Sequence, residues 1–404
     1  MFITDVRTTL LTGPSTNDPY LSEARRLRSA AFIEVLTDGK HVGLGETYAG
    51  YFCPEVVPAI VEFFKPILVG QAVDDVPELW RRMYHCGNFW CRVGVGAAVL
   101  NGIEAALWDL KGKLEDKPVY ELLGGLRHER LSCYATGGPS NYPLDKLAAK
   151  VDHYLSFGFR GVKVGAGCYS ADGGWYIPHG VQESAEFEAT KVEFLRSRFG
   201  GEIMLMLDAH MGNTLGPAWS LDVATAVARA VEPFDLFFLE EPLPYASSQD
   251  YADLCRATTT PIAGGECLTS SCEWKAYVDR DSFDVAQPDA SFTGGLSEFL
   301  AVAEMTAARG RRIATHAWGA GGSLMQNIHA GFAAPNTCIL EVPPNYGGLH
   351  LEVIDGGLTI QDGYVLPPDR PGLGIVLTEA TRRRYPFVAG SGEFNSVPGK
   401  LLTT

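Results

Sequence analysis

A closed eight-stranded parallel (β/α) barrel of the TIM type, carrying an N-terminal α+β capping domain, is the fold that this 404-residue sequence predicts. Three observations predict it. From about residue 131, eight short apolar runs alternate with helix-length amphipathic segments; the preceding residues lack that alternation; and the apolar runs finish in ionisable residues.

In the first segment, 1–130, "ITDVRTTLL", "RSAAFIEVLTDG" and "VGLGETY" read as antiparallel strands, with Asp38-Gly39 as a turn. The stretches "PEVVPAIVEFFKPILVG", "DDVPELWRRMYH" and "GVGAAVLNGIEAALWDLKGKLED" read as helices. The barrel is expected over 131–359, with strands at "LSCYATG", "GVKVGAG", "EIMLMLDAH", "LFFLEEP", "PIAGGE", "FDVAQPD", "RRIATHAW" and "TCILEVP". Amphipathic segments such as "PLDKLAAKVDHYLSFG" and "GLSEFLAVAEMTAARG" lie between them, and an open doubly wound sheet would normally stop before eight strands. The last segment, 360–404, returns to hairpin and Pro/Gly character and is expected to pack back on the capping domain.

Composition narrows the function. With 33 basic and 48 acidic residues the formal charge is −15, and no block of like charge stands out, so nucleic acid and anionic membrane are poor partners and a small ligand is a better one. Nine cysteines form no CxxC pair, which favours free thiols over a disulfide framework. The N-terminus shows no basic-then-apolar leader pattern, and no run of about 18 apolar residues follows. A cytoplasmic protein is expected.

In such barrels the C-terminal strand ends carry the chemistry. The third to eighth runs end in Asp208, Glu240-Glu241, Glu266, Asp289, His316 and Glu341, and the second carries Lys163. Carboxylates on successive strands point at one volume and repel unless a cation sits among them. Hard oxygen donors with room for water suit Mg²⁺, and no His/Cys spacing suits Zn²⁺. Asp208, Glu240 and Glu266 are therefore the expected metal ligands. Glu240 is chosen over Glu241 because it shares a strand face with Phe238, and Glu241 is expected to form an ion pair with a neighbouring strand. Asp289 and His316, on adjacent strands, fit an imidazole base oriented by a carboxylate.

With these residues assembled, the chain resembles the mandelate racemase subgroup of the enolase superfamily. The resemblance rests on "GIEAALWDLKGK", "DAH", "LEEP", "GGE", "QPDASFTGG" and the histidine 27 residues after its aspartate, and it spans nearly the whole chain. It implies Mg²⁺-assisted abstraction of a proton α to a carboxylate, with His316 as base. It also implies that His210 acts as the acid for a departing hydroxyl, as in acid-sugar dehydratases, and that Glu341 hydrogen-bonds substrate. A homo-oligomer is expected, as for many relatives. One departure is plain: where racemising relatives carry Lys-x-Lys, this chain has Lys163-Val164-Gly165, so Lys163 is left as an electrophilic stabiliser without a second lysine base.

The leading expectation is a Mg²⁺-dependent lyase that converts an aldonate or aldarate to its 2-keto-3-deoxy product. Epimerisation or cycloisomerisation through the same enolate is an alternative, and so is a non-catalytic acid-sugar-binding protein. The segments "STNDPYLSEARR", "ETYAGYF", "HCGNFWCR" and "CYSADGGWYIPHGVQ", the last with Tyr176 and His179, are candidates for substrate contact.

Overall fold

The computed structural model describes residues 1–14, 18–20, 27–137, 142–169, 175–212, 214, 216–344 and 347–390. Strands β1 (Ile3–Pro14), β2 (Leu27–Thr37) and β3 (Val42–Thr47) form an antiparallel sheet in the order β1-β2-β3. Helices α1 (Val57–Leu68), α2 (Val76–Gly87) and α3 (Val95–Glu115) follow. Helix α3 is buried nearly all round because it lies against that sheet while carrying residues that reach the barrel. Gly43 and Gly45 permit the approach, since a Cβ at either would fall 2.1 or 2.3 Å from a backbone oxygen of α3.

The eight expected apolar runs all become strands: β4 (Leu131–Ala135), β5 (Gly161–Gly165), β6 (Met204–Asp208), β7 (Phe238–Glu240), β8 (Ile262–Gly264), β9 (Val285–Ala286), β10 (Arg312–Ala314) and β11 (Thr337–Val342). Each pairs in parallel with the next, and β11 pairs in parallel with β4, which closes the barrel. Helices occupy the crossovers, among them α4 (Leu144–Leu155), α5 (Val181–Phe199), α6 (Leu221–Val231), α7 (Ser248–Ala257), α8 (Ser271–Val278), α9 (Leu296–Ala307) and α10 (Gly321–Ala333).

The interior is a packed core of Tyr134, Met206, Phe238, Ala263, Val285, Ala314 and Ile339, all buried, from seven of the strands. Strand side chains alternate with a period of two, so the residue two positions beyond each faces the same axis one layer higher. From Met206, Phe238, Val285, Ala314 and Ile339 this gives Asp208, Glu240, Gln287, His316 and Glu341. Lys163, within β5, joins the same layer. The period that fills the core thus also sets a layer of ionisable and amide side chains above it.

The C-terminal segment divides its contacts. A hairpin of β12 (Ile360–Gln361) and β13 (Tyr364–Val365) adds antiparallel to β4 of the barrel, at Leu131 and Ser132. Beyond it, Leu373 N–H donates to Asp109 of α3 at 2.8 Å, and Arg382 forms an ion pair with Glu34 of β2, so the chain end grips the cap.

Two cap carboxylates hold barrel helices. Neither α9 nor α10 carries its own side-chain N-cap. Glu46, at the end of the cap sheet, accepts from Ala320 N–H at 2.7 Å and Ser323 N–H at 2.8 Å, while Glu104 of α3 accepts from Ser297 N–H and its hydroxyl at the start of α9. These bonds satisfy free helix N–H groups and place negative charge at the positive helix ends. Gly295 is required there, since its φ is +149° and a Cβ would lie 2.1 Å from Glu104. Burial pushes both Glu46 and Glu104 up to about 7.

Candidate active site

His316 lies two residues past β10 and is 6% exposed. Its Nδ1 is 2.8 Å from Asp289 Oδ2, and its Nε2 is 3.5 Å from Glu266 Oε2. Burial opposes the imidazolium, but Glu266, Asp289 and Glu341 outweigh it and raise the pKa to about 10. Asp289 is itself held: its Oδ1 accepts from Ser291 N–H at 2.7 Å, Ser291 Oγ at 2.6 Å and Asn327 Nδ2 at 2.8 Å. Asn327 stands on α10, the helix whose N-terminus Glu46 caps, so the cap fixes the carboxylate that orients the histidine.

On the other side, Asp208 closes β6 and Glu240 closes β7, directly paired across the two strands. Lys163 Nζ lies 2.5 Å from Glu240, 3.0 Å from Glu341 and 3.1 Å from Asp208. Burial works against the ammonium, yet these three carboxylates hold its pKa well above the ordinary lysine value. Here Lys163 is engaged by carboxylates, the arrangement of an ion pair inside the barrel. Glu341 Oε2 also accepts from Ala317 N–H at 2.8 Å, and Lys163 and His316 hold its carboxyl below the usual range against the effect of burial. Burial, reinforced by Asp208, pushes Glu240 up to about 7, and burial also raises Asp208.

Glu266 reaches the rim by a different route. The residue two beyond Ala263 is Gly265, whose φ of +113° turns the chain after β8, where a Cβ would meet the Trp274 ring at 2.0 Å. His210 has a positive φ of +50°, puts its Nε2 3.2 Å from Asp208 Oδ2, and leaves 47% of its side chain exposed at the mouth.

Asp208, Glu240 and Glu266 suit a hard dication by chemistry, as three oxygen donors from adjacent strands, among which Lys163 is the buried cation, its Nζ 3.1 Å from Asp208 Oδ2. The ion pair expected for Glu241 is not found. Among the described residues no basic side chain pairs with it, because its φ of +44° carries it past the strand end toward Tyr245, Cys267 and Glu266.

Among the substrate-contact candidates, "ETYAGYF" lies at the site: Tyr48 packs on His316 with ring centroids 5.5 Å apart, and Phe52 and Phe292 pack on Tyr48. In "HCGNFWCR", Trp90 packs on Phe63 and Phe64 of the cap and Phe89 is exposed. Of "STNDPYLSEARR", residues 15–17 and 21–26 lie outside the described residues; Asp18 accepts from Tyr154 of α4, and Tyr142 donates to Tyr20 O. In "CYSADGGWYIPHGVQ", residues 170–174 lie outside them too, His179 is exposed, and the Tyr176 hydroxyl donates to Glu183 of α5.

Sequence reasoning missed Gln287, whose Nε2 donates to Glu240 Oε2 at 2.7 Å, and Asn327. Gln287 carried a signal, a polar residue two before Asp289 at the end of an apolar run. Asn327 carried none, since it sits within a helix.

The geometry has counterparts. Residues 19–124 match the sequence profile of the mandelate racemase/muconate lactonizing enzyme N-terminal domain, and 146–381 match the enolase C-terminal domain-like profile. The chain belongs to the mandelate racemase/muconate lactonizing enzyme family. Within that family, a D-galactonate dehydratase of Ralstonia nicotianae is 31% identical over 358 residues, covering 86% of this chain and 89% of the relative. The structure of L-talarate dehydratase from Polaromonas sp. JS666, complexed with Mg and L-glucarate, aligns with a TM-score of 0.79 at 26% identity, covering 96% of this chain and 98% of that one. The 3,6-anhydro-D-galactonate cycloisomerase from Zobellia galactanivorans aligns with a TM-score of 0.80 at 27% identity, covering 95% and 99%. No helix among the described residues is long and apolar enough to cross a membrane.

Proposed function

We propose that this protein is a Mg²⁺-dependent hydro-lyase that removes water from an aldonate or aldarate to give a 2-keto-3-deoxy acid. The observation that carries the reading is the pairing of a carboxylate-oriented base, His316 with Asp289, and a rim histidine, His210, beside an acidic cluster. The proton α to a carboxylate is very weakly acidic, so removing it requires both a base and a fixed positive charge. Asp208, Glu240 and Glu266 would hold Mg²⁺, which when bound would supply that charge against the second negative charge that develops on the substrate carboxylate.

The chain's own groups do the rest. His316 Nε2 takes the α-proton while its Nδ1–H donates to Asp289 Oδ2. Lys163 holds the substrate's acid end, exchanging a carboxylate of the protein for one of the substrate, and Glu341 accepts a hydrogen bond from a substrate hydroxyl. His210 gives a proton to the β-hydroxyl, which leaves as water, and the resulting enol becomes the 2-keto acid. A dication at Glu266 would offset the charge that now raises the pKa of His316 and so favour the free base.

Epimerisation or cycloisomerisation is the second reading, favoured by the likeness to the cycloisomerase. Gly165 argues against it, since no second lysine faces His316 as a base. The test is a library of mono- and diacid sugars with Mg²⁺, read by 2-keto acid formation and by proton NMR. Water loss supports the lyase; an isomer of unchanged mass with no 2-keto acid overturns it.

A further inference from the structure

The acidic rim holds more carboxylate than one hard ion needs. Glu241 is fully buried beside the Tyr245 hydroxyl, with Oε1 3.9 Å from Cys267 Sγ and Oε2 lacking a hydrogen bond of good geometry. An unpaired buried carboxylate oxygen is costly, which is a reason to look for the ligand it lacks. Donor atoms of Glu241, Glu266 and Cys267 all lie within 4.8 Å of one another. The backbone aims them there: Glu241 turns at φ +44°, and the Glu266-Cys267 segment is anchored through Gly265, whose N–H donates to Tyr245 Oη at 2.6 Å and whose Cα sits against Trp274.

We propose that Glu241, Glu266 and Cys267 form a second metal site, selective for a thiophilic divalent ion such as Zn²⁺ and sharing Glu266 with the Mg²⁺ site. Mg²⁺ avoids sulfur, whereas Zn²⁺ binds thiolate and carboxylate at about 2.0–2.3 Å in tetrahedral geometry with a fourth position left to water. Ligand atoms around such an ion stand roughly 3.5 Å apart, so these side chains close by about 1 Å. Binding displaces the Cys267 proton to solvent, one per ion, against the burial and the Glu241 and Glu266 charges that push this thiol up, and Cys267 at the rim is where an ion enters. An ion drawn toward Glu241 and Cys267 turns Glu266 away from Asp208 and Glu240, so filling this site weakens the other, and Zn²⁺ inhibits. That last step rests on Glu266 as a Mg²⁺ ligand; the site itself does not.

The probe is Co²⁺ added to the full-length metal-free protein. Thiolate coordination produces a sulfur-to-cobalt charge-transfer band in the near ultraviolet, while Co²⁺ bound by carboxylates alone does not, so the band reads this site irrespective of activity. It should disappear in Cys267→Ser and need at least about tenfold more Co²⁺ in Glu241→Gln. Absence of the band in the parent protein, or its persistence in a Cys267→Ser variant of unchanged circular dichroism, overturns the site. With Mg²⁺ fixed, Zn²⁺ should inhibit the parent enzyme at least about tenfold more strongly than Cys267→Ser, each measured against its own rate without Zn²⁺. A cobalt band that depends on Cys267 alongside equal inhibition of both proteins overturns the sharing of Glu266. Loss of the dehydratase reading would leave the cobalt result standing.

Discussion

The two halves of the barrel mouth differ in how fully their polar groups are served. On the side of β9 and β10, Asp289 Oδ1 takes three hydrogen bonds and Oδ2 faces His316, while α9 and α10 are capped by Glu104 and Glu46 from the other domain. On the side of β6 to β8, Glu241 keeps a buried oxygen without a hydrogen bond. There Lys163 is the buried cation among Asp208, Glu240 and Glu341. Buried like charges repel strongly at low dielectric, so this half is chemically incomplete where the other is finished. The mouth thus sets a fully hydrogen-bonded carboxylate–imidazole pair on one side against three buried carboxylates that share one buried cation on the other.

The hardest way to break that comparison is to remove its two histidines. His316→Asn should lower elimination by about 10²–10⁴-fold and abolish exchange of the substrate α-proton with D₂O, because nothing removes the proton. His210→Asn should lose elimination to a similar extent yet retain exchange. NMR of substrate deuteration beside a 2-keto acid assay separates them; a His210→Asn enzyme dehydrating at the parent rate would reduce His210 to a rim residue.

Next in size is the acidic half. Asp208→Asn, Glu240→Gln and Glu266→Gln should each weaken Mg²⁺ binding by at least about tenfold in calorimetry, and should flatten the rise in melting temperature that Mg²⁺ brings. Full turnover by the parent enzyme after exhaustive chelation would contradict this.

Asn327→Leu attacks the finished half without touching the acidic one. With Asp289 less firmly held, kcat should fall about tenfold while Mg²⁺ affinity stays at the parent value. A parallel loss of Mg²⁺ affinity would show that the halves are not independent.

A smaller effect sharpens the role of the helix that pins Asp289. His329 on α10 and His350 are buried, and burial depresses both to about 3. Because these folded values lie below the unfolded value of about 6.5, the stability they carry is present above pH 6.5 and drains away as pH falls toward 3, by up to about 1.4 kcal/mol per unit for each group. Urea unfolding from pH 7 to 5 should therefore be less steep in pH for His329→Gln than for the parent protein; equal slopes would remove His329 from the account. The smallest effect on the mouth should come from Phe63→Glu in the exposed cap patch with Phe89 and Trp90. It should lower the sedimenting mass of a homo-oligomer while leaving Mg²⁺ affinity unchanged. A monomeric parent protein would refute the assembly.

Sequence by itself determined the barrel and most of the polar layer at its mouth. Strand periodicity is local, and the two-residue repeat that buries Met206, Phe238 and Ala314 also projects Asp208, Glu240 and His316, so counting along the chain is enough to find them. It also located Tyr48 through "ETYAGYF". What the tertiary structure decided were partnerships across large separations in the chain and turns set by single dihedral angles. Glu46 meets Ala320, and Lys163 meets Glu240, only because two domains pack and a sheet closes. The expected ion pair of Glu241 failed for the second reason. Strand alternation predicts a side chain's face only while the strand lasts, and a φ of +44° ends it at that residue.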